Sequence, residues 1–84
     1  MKYRGRYEVF ATMLEAANSE KDTSRTIIRY KAFLSYIQLK DNLALLLENG
    51  LIKKFYKDGK AVYKPTDKGK RFLSLYNEIN NSIS

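Results

Sequence analysis

The chain has 84 residues, with 16 lysines and arginines against 9 acidic residues, which gives a formal net charge of +7. A chain of this length has room for one domain and little room for a large catalytic cleft. It contains neither cysteine nor histidine, which excludes disulfides, thiolate metal sites and imidazole catalysis. Hydrophobic residues make up 44% of the chain, enough to build a folded core.

Other ligand and enzyme classes lack support as well. The sequence shows no paired carboxylates at a catalytic spacing and no glycine-rich phosphate loop, so we expect no enzyme activity, no metal and no cofactor. So small a domain leaves little volume for a pocket of even about 300 Å³, and we expect no small-molecule ligand. The N-terminus lacks an apolar signal core and the longest apolar run is Leu43 to Leu47, which predicts a cytoplasmic protein without a membrane partner.

The first predicted element is a helix from Tyr3 to Ala17, because its apolar residues recur at spacings of three and four. These residues are Tyr7, Val9, Phe10, Met13, Leu14 and Ala17. The polar run 18–22 ends the helix. One of the residues 22–24 then caps a shorter second helix that includes Ile28 and Tyr30.

A third helix is predicted from Ser35, because Ser35 and Gln38 have the spacing of a capping box. It ends before Gly50, since glycine takes the left-handed conformation after a helix without strain. A helical projection gives it one apolar face and one free face, with Leu45 outside the apolar one. The apolar face holds Tyr36, Leu39, Leu43, Leu46 and Leu47. Tyr30 and Tyr36 flank the preceding turn, and we expect both rings to pack in the core.

Two short apolar runs, 51–55 and 61–64, are predicted to form a β-hairpin. The pair Asp58-Gly59 between them is a strong signal for a two-residue hairpin turn. The result is a two-stranded ribbon with a lysine-rich tip. Pro65 removes a backbone donor and is expected to shorten the second strand.

The last predicted element is a helix over residues 67–83, capped by Thr66 and with Asp67 at its positive end. Its apolar stripe, the candidate dimer surface, comprises Phe72, Leu75, Tyr76, Ile79 and Ile83. The order helix, helix, helix, hairpin, helix predicts an α+β, mainly α fold, the winged helix-turn-helix, with the hairpin as its wing. The chain 1–84 is thus predicted to be one domain.

Three segments carry a resemblance to a known family. Residues 26–36 read T-x-I-x-Y-x-A-x-L-S-Y, a leucine-rich run at 43–52 ends in Gly-Leu-Ile, and 63–73 read Y-K-P-T-D-K-G-K-R-F-L. In this order they resemble the small archaeal winged-helix DNA-binding proteins, both ArnR-like regulators and the ten-kilodalton chromatin-associated class. The likeness runs from Tyr7 to Tyr76. It implies a homodimeric, nucleoid-associated protein that binds duplex DNA as a transcriptional regulator or chromatin component.

One departure from that family concerns dimerisation. The chromatin-associated class dimerises through a long C-terminal coiled coil, whereas the stripe up to Ser84 supplies only about two heptads. We therefore expect a weakened dimer.

The free face of the third helix supplies candidates for reading bases in the major groove, which is about 12 Å wide and admits one helix. They are Ser35, Ile37, Gln38, Asp41 and Asn42. Amide side chains pair with adenine, isoleucine contacts a thymine methyl, and aspartate accepts from cytosine N4. For Ser35 and Gln38, capping of the helix alone is an equal alternative. Asp41 repels phosphate, so it either reads a base or has no role in binding, and we favour the second. For Ile37, burial against a neighbouring element or a dimer partner is equally compatible.

Candidate phosphate contacts lie on both sides of that helix. They are Arg25, Arg29, Lys31, Tyr36, Lys40, Lys54, Lys57 and Lys60. Between Lys53 and Lys64 five lysines accompany a single acid, a concentration beyond that of a scattered solvated surface. The alternative hypothesis is a winged helix that serves as a protein-interaction module without DNA binding, docking a partner through its third and last helices.

Overall fold

The computed structural model describes residues 5–19 and 21–83. Its elements are α1 (Arg6–Ser19), α2 (Arg25–Lys31), α3 (Tyr36–Glu48), β1 (Ile52–Lys57), β2 (Lys60–Pro65) and α4 (Asp67–Ile83). The predicted order and the mainly helical α+β class are confirmed. The expected helix start at Tyr3 lies outside the described residues; α1 begins at Arg6 and runs two residues beyond Ala17.

The hydrophobic core is built around α1. Met13 and Leu14 are completely buried, and Val9, Phe10 and Ala17 accompany them on the same face. The second and third helices and the hairpin region close the core around that face. They contribute Ile28, Ala32, Leu34, Leu39, Leu43, Leu46, Leu51, Ile52 and Tyr63. The amphipathic spacing of α1 therefore identified the side that every other element covers.

Local hydrogen bonds set the starts of α2 and α3 where the sequence predicts them. Ser24 Oγ accepts a hydrogen bond from the backbone N–H of Ile27 at 3.2 Å. Ser35 Oγ accepts from the Gln38 N–H at 3.1 Å, and Gln38 Oε1 accepts from the Ser35 N–H at 2.9 Å, which completes the capping box. Gly50 follows α3 with a φ of +67°, the left-handed conformation expected there.

The hairpin has the predicted turn and a longer second strand than predicted. Asp58 and Gly59 have φ values of 52° and 77°, as a type I′ turn requires. The expectation that Pro65 shortens β2 is wrong, because Pro65 is the last residue of β2 and lies opposite Ile52. A proline at the end of a strand costs little, since no further ladder bond depends on its missing N–H.

The start of α4 approaches the hairpin backbone at Gly69. A Cβ at this position would overlap the carbonyl oxygen of Leu51 and lie 3.3 Å from Leu14 Cδ2. Thr66 holds both sides together, because its N–H donates to the Leu51 carbonyl at 3.1 Å and its Oγ1 accepts from the Gly69 N–H at 3.0 Å. The predicted cap at Thr66 is confirmed. We call Leu14, Leu51, Thr66 and Gly69 the junction.

Several side chains lie elsewhere than predicted. Tyr30 and Tyr36 are 82% and 54% exposed, so the expectation that they pack in the core is wrong. Tyr7 is likewise exposed, although its ring contacts other rings. Leu45 packs against the core from outside the predicted face, whereas Leu47 is exposed. In α2 and α3, fewer apolar side chains are buried than the sequence suggests, because neighbouring elements cover only one side of each helix.

Candidate nucleic-acid interface

Residues from four elements converge on one surface beside α3. Arg25 begins α2, Tyr36 and Lys40 lie in the first two turns of α3, and they line a groove of about 180 Å³ together with Tyr63 of β2. Lys54 of β1 is the register partner of Tyr63 and so projects from the same face of the hairpin. We call these five residues the basic groove. The structure thus brings together four of the predicted phosphate contacts.

Lys54 is held as a cation at this surface. Its Nζ lies 5.3 Å from the centroid of the Tyr56 ring, within the range of a cation–π contact. A side-chain hydrogen bond with Tyr56 raises the pKa of Lys54, and Tyr63 raises it further, whereas Arg25 acts in the opposite direction. Arg25 and Lys54 both adjoin Tyr63, so two positive charges share this surface, an arrangement that favours an anionic partner.

Two predicted contacts lie at the tip of the hairpin, on the other side of α2. Lys57, Lys60 and Asp22 line a cleft of about 360 Å³. Lys57 Nζ lies 3.2 Å from Asp22 Oδ1, and both side chains are nearly half exposed. An ion pair this exposed contributes only about 0–1 kcal/mol, so Lys57 is available to a stronger anionic partner.

Arg29 and Lys31 of α2 are engaged within the protein. Arg29 Nε donates to the Leu34 carbonyl at 3.2 Å, and Lys31 Nζ donates to Ser19 Oγ at 3.0 Å. Lys31 lies against α1, away from the basic groove. The structure therefore separates Lys31 from the other predicted phosphate contacts.

The polar candidates on α3 bond mainly to the helix itself. Gln38 and Ser35 form the capping box described above, and their role as base readers stays a prediction. Asn42 Nδ2 donates to the Gln38 carbonyl at 2.7 Å. Asp41 is exposed, and Ile37 is 68% exposed, so burial of Ile37 against a neighbouring element of this chain is wrong.

Two exposed residues escaped the sequence reasoning. Ala44 lines the basic groove two helical turns after Ile37, and the projection that placed Ile37 on the free face also places Ala44 there. Phe33, in the turn between α2 and α3, is 87% exposed and has a φ of 55°. No sequence signal predicts Phe33 there, since bulky side chains rarely adopt positive φ.

The outer side of α2 carries an open apolar groove. Tyr30, Phe33 and Leu34 line it together with Arg29, and its volume is about 610 Å³. The expectation that the domain lacks volume for a pocket is therefore wrong, because open surface grooves supply space that the core does not. Within residues 5–19 and 21–83, no acidic cluster suits a metal ion, and no helix is long and apolar enough to cross a membrane.

The candidate dimer residues of α4 fall into two groups. Phe72 and Tyr76 stack with ring centroids 6.4 Å apart, and Phe72 also contacts aromatic rings of α1. Leu75 and Ile79 project from the helix and are mostly exposed. The side chain of Ile83 lies outside the described residues. The stripe thus divides into a part that anchors α4 and a part that the described residues leave mostly exposed.

A capped helix that follows a short helix and a turn, with a hairpin beside it, defines the winged-helix class of proteins. Residues 3–84 match the family model for the winged helix-turn-helix. The chain belongs to the winged helix-turn-helix family.

Solved structures share this fold. Sso10a-2, a DNA-binding protein from Sulfolobus solfataricus, superposes with a TM-score of 0.79 at 24% identity, over 93% of this chain and 80% of that one. F-93 of SSV1 gives 0.69 at 18% identity, over 100% and 98% of the two chains. MepR of S. aureus, in a complex with DNA, gives 0.73 at 11% identity and matches 93% of this chain and 56% of its own. A comparison with curated protein sequences found no significant match.

Proposed function

We propose that this protein binds duplex DNA and acts in the cytoplasm on the nucleoid, as a transcriptional regulator or chromatin-associated protein. The observation that carries the proposal is the convergence of Arg25, Lys40 and Lys54 on one surface beside α3. Cations that border a helix are suited to the phosphates that border the major groove. Among the proteins of the same fold, Sso10a-2 is a DNA-binding protein and MepR is seen with DNA.

In this proposal α3 enters the major groove and the hairpin contacts the sugar-phosphate backbone. The helix has 13 residues, and its outer side is exposed from Tyr36 to Ala44 except at the positions that face the core. Arg25 then lies toward one phosphate strand, and the hairpin lysines, Lys57 and Lys60 at its tip included, lie toward another. Phosphate contacts of this kind fix the position of the helix without selecting a sequence.

The proposal includes a homodimer formed through α4. Leu75 and Ile79 are exposed apolar side chains on a helix that packs against the core through Phe72 and Leu73. Covering them with a second copy removes that apolar surface from water. A dimer would present two α3 helices to half-sites about one helical turn, roughly 34–36 Å, apart. Sedimentation equilibrium at micromolar concentration tests the dimer, with Ile79→Glu expected to give a monomer.

The DNA-binding proposal is tested by charge reversal in the basic groove. Lys40→Glu combined with Lys54→Glu should weaken binding to a short duplex by at least about tenfold, because two phosphate contacts become repulsive. If about five phosphates are contacted per protomer, the wild-type slope of log affinity against log salt is about −4.5, and the variant's slope should be shallower by about two. Fluorescence anisotropy at several salt concentrations measures both quantities.

The matched control is Lys70→Glu, which reverses an exposed lysine on α4, away from the basic groove. It should leave the salt slope within error of the wild type. Absence of wild-type binding at micromolar protein would refute the proposal. If the control loses as much DNA affinity per reversed charge as the double variant, net charge alone accounts for binding and no defined surface is needed.

A second candidate function is a protein-interaction module, and the exposed rings of Tyr30 and Phe33 favour it. Under that function, reversal of Lys57 and Lys60 to glutamate leaves partner binding intact, whereas under the first it reduces DNA affinity. Lys57 and Lys60 lie on the hairpin, whereas Tyr30 lies on α2, so this pair of variants distinguishes the two functions.

A further inference from the structure

The outer side of α3 offers few unengaged hydrogen-bonding groups for reading bases. A bidentate pair with adenine needs both the amide oxygen and the amide nitrogen of glutamine or asparagine. Here Gln38 Oε1 accepts from the Ser35 N–H at 2.9 Å, and Asn42 Nδ2 donates to the Gln38 carbonyl at 2.7 Å. One half of each amide is directed at the helix backbone. Bidentate pairing would therefore require the cap or the Asn42 bond to open.

Exposed hydrocarbon occupies another part of the outer surface of the helix. Ile37 is 68% exposed and Ala44 is exposed seven residues later. Seven residues are nearly two turns and rise about 10 Å, close to the length of three base-pair steps of about 3.4 Å each. Lys40 lies between them and lines the basic groove with Ala44. Two exposed apolar side chains thus lie along one line of the helix, and Lys40 beside them is placed to contact the DNA backbone.

We infer that α3 recognises the C5 methyl groups of thymine through Ile37 and Ala44, so that the preferred ligand is thymine-rich duplex DNA. The inference rests on the proposed function. The thymine methyl is the hydrocarbon group that the major groove of unmodified DNA presents, and alanine and other apolar side chains contact it.

The charges around these side chains favour DNA over an apolar protein surface as their occupant. Arg25 and Lys40 line the groove together with Ala44, and Lys54 lies opposite Tyr63 of the same groove in the hairpin register. A protein partner without acidic groups would leave these cations unpaired. A polyanion that also carries methyl groups satisfies both features of the surface.

The test uses two pairs of duplexes, and the two members of each pair differ only in C5 methyl groups. One is an alternating A·T duplex, the second replaces every thymine with deoxyuridine, and the third and fourth are a G·C duplex without and with 5-methylcytosine. Each exchange keeps the Watson–Crick pairing. Loss of one buried methyl contact weakens binding about fourfold. Wild-type protein should therefore bind the uracil duplex about four- to tenfold more weakly than the thymine duplex, and should bind methylated G·C more tightly than unmethylated.

Variants assign the effect to the helix. Ile37→Ala should reduce the thymine-to-uracil affinity ratio by about fourfold while leaving the salt slope unchanged, because it removes no charge. Tyr30→Ala is the matched control: it removes an exposed apolar side chain from the outer side of α2, outside the basic groove, and should leave the ratio unchanged. Thermal unfolding followed by circular dichroism confirms that both variants are folded.

The outcomes distinguish a failure of methyl recognition from a failure of DNA binding. Equal affinity for the thymine and uracil duplexes, with a normal salt slope, would overturn methyl recognition and leave DNA binding intact. A thymine preference that persists in Ile37→Ala would overturn the assignment to this residue and point to duplex shape. Absence of binding to all four duplexes would overturn the proposed function itself, and retention of a protein partner by the same preparation would support the interaction module.

Discussion

At the junction of α4 and the hairpin, the absence of a side chain lets Gly69 lie against the Leu51 carbonyl, whereas at the turn between α2 and α3 the ring of Phe33 projects into solvent. The first region has no room for one added carbon atom. The second holds a bulky side chain in a backbone conformation that favours glycine. The junction therefore sets the position of α4 relative to the hairpin, whereas the turn between α2 and α3 leaves a side chain free for contacts.

The largest effect is expected where the packing is closest. Gly69→Ala forces the new Cβ against the Leu51 carbonyl and Leu14, so α4 must shift, and we expect the free energy of unfolding to fall by about 3 kcal/mol. Urea unfolding monitored by far-ultraviolet circular dichroism measures it. Lys70→Ala, one residue along the same helix and exposed, should change stability by less than about 0.5 kcal/mol. Similar values for the two variants would show that the junction yields easily.

An intermediate effect is expected at the start of α3. Ser35→Ala removes the hydroxyl that accepts from the Gln38 N–H and should cost about 1 kcal/mol of stability. Ser74→Ala, at an exposed interior position of α4, is the control and should be neutral or slightly stabilising, because alanine is the better helix former. Thermal melts of the two variants make the comparison. Equal melting temperatures would argue against the cap as a source of stability.

The smallest effect is expected at Phe33, and its sign is opposite. Phe33→Gly relieves the positive φ while giving up almost no burial, and should raise the free energy of unfolding by about 0.5 kcal/mol. Phe33→Ala removes the ring but keeps the strained conformation, and should leave stability close to that of the wild type. Denaturant midpoints of the pair separate strain from packing. A destabilised Phe33→Gly would mean that the ring contributes contacts at this corner.

The sequence predicted most reliably the features that neighbouring residues decide. The capping box of Ser35 and Gln38, the Asp58-Gly59 turn and the cap at Thr66 each depend on residues within four positions of one another. Their hydrogen bonds are local and do not depend on how the helices and strands pack together. Together with the apolar periodicity that predicted α1, such local rules were enough to place the described helices and strands in order.

Predictions failed where the answer depends on what covers a face. Leu45 and Leu47 are two residues apart on α3, and only the positions of α1 and the hairpin decide that the first packs against the core while the second is exposed. The burial of Tyr30 and Tyr36 is hard to predict for a further reason. The apolar ring of tyrosine suits a core, and its hydroxyl suits a solvated surface. Periodicity gives the direction of an apolar face but not its width.

The candidate site was predictable as a set of cations and not as an arrangement. Arg25, Lys40 and Lys54 come from three separate segments, and the hairpin brings the last to the other two. Lys31 is no less basic, yet it lies on the opposite side of α2 against α1. Likewise, the amides of Gln38 and Asn42 were recognisable as base readers by type, but their bonds to the helix appear only with coordinates.

The lysines of β1 have a consequence for aggregation. In the described part of the chain β1 pairs only with β2, so one row of its backbone N–H and C=O groups faces outward as a sheet edge. Exposed edges invite strand addition from other molecules, and lysine side chains along them oppose it. Lys53, Lys54 and Lys57 repel a second positively charged edge. A polyanion that neutralises these lysines would lower that barrier, so crowding of copies along DNA would favour edge-to-edge association that the free protein resists.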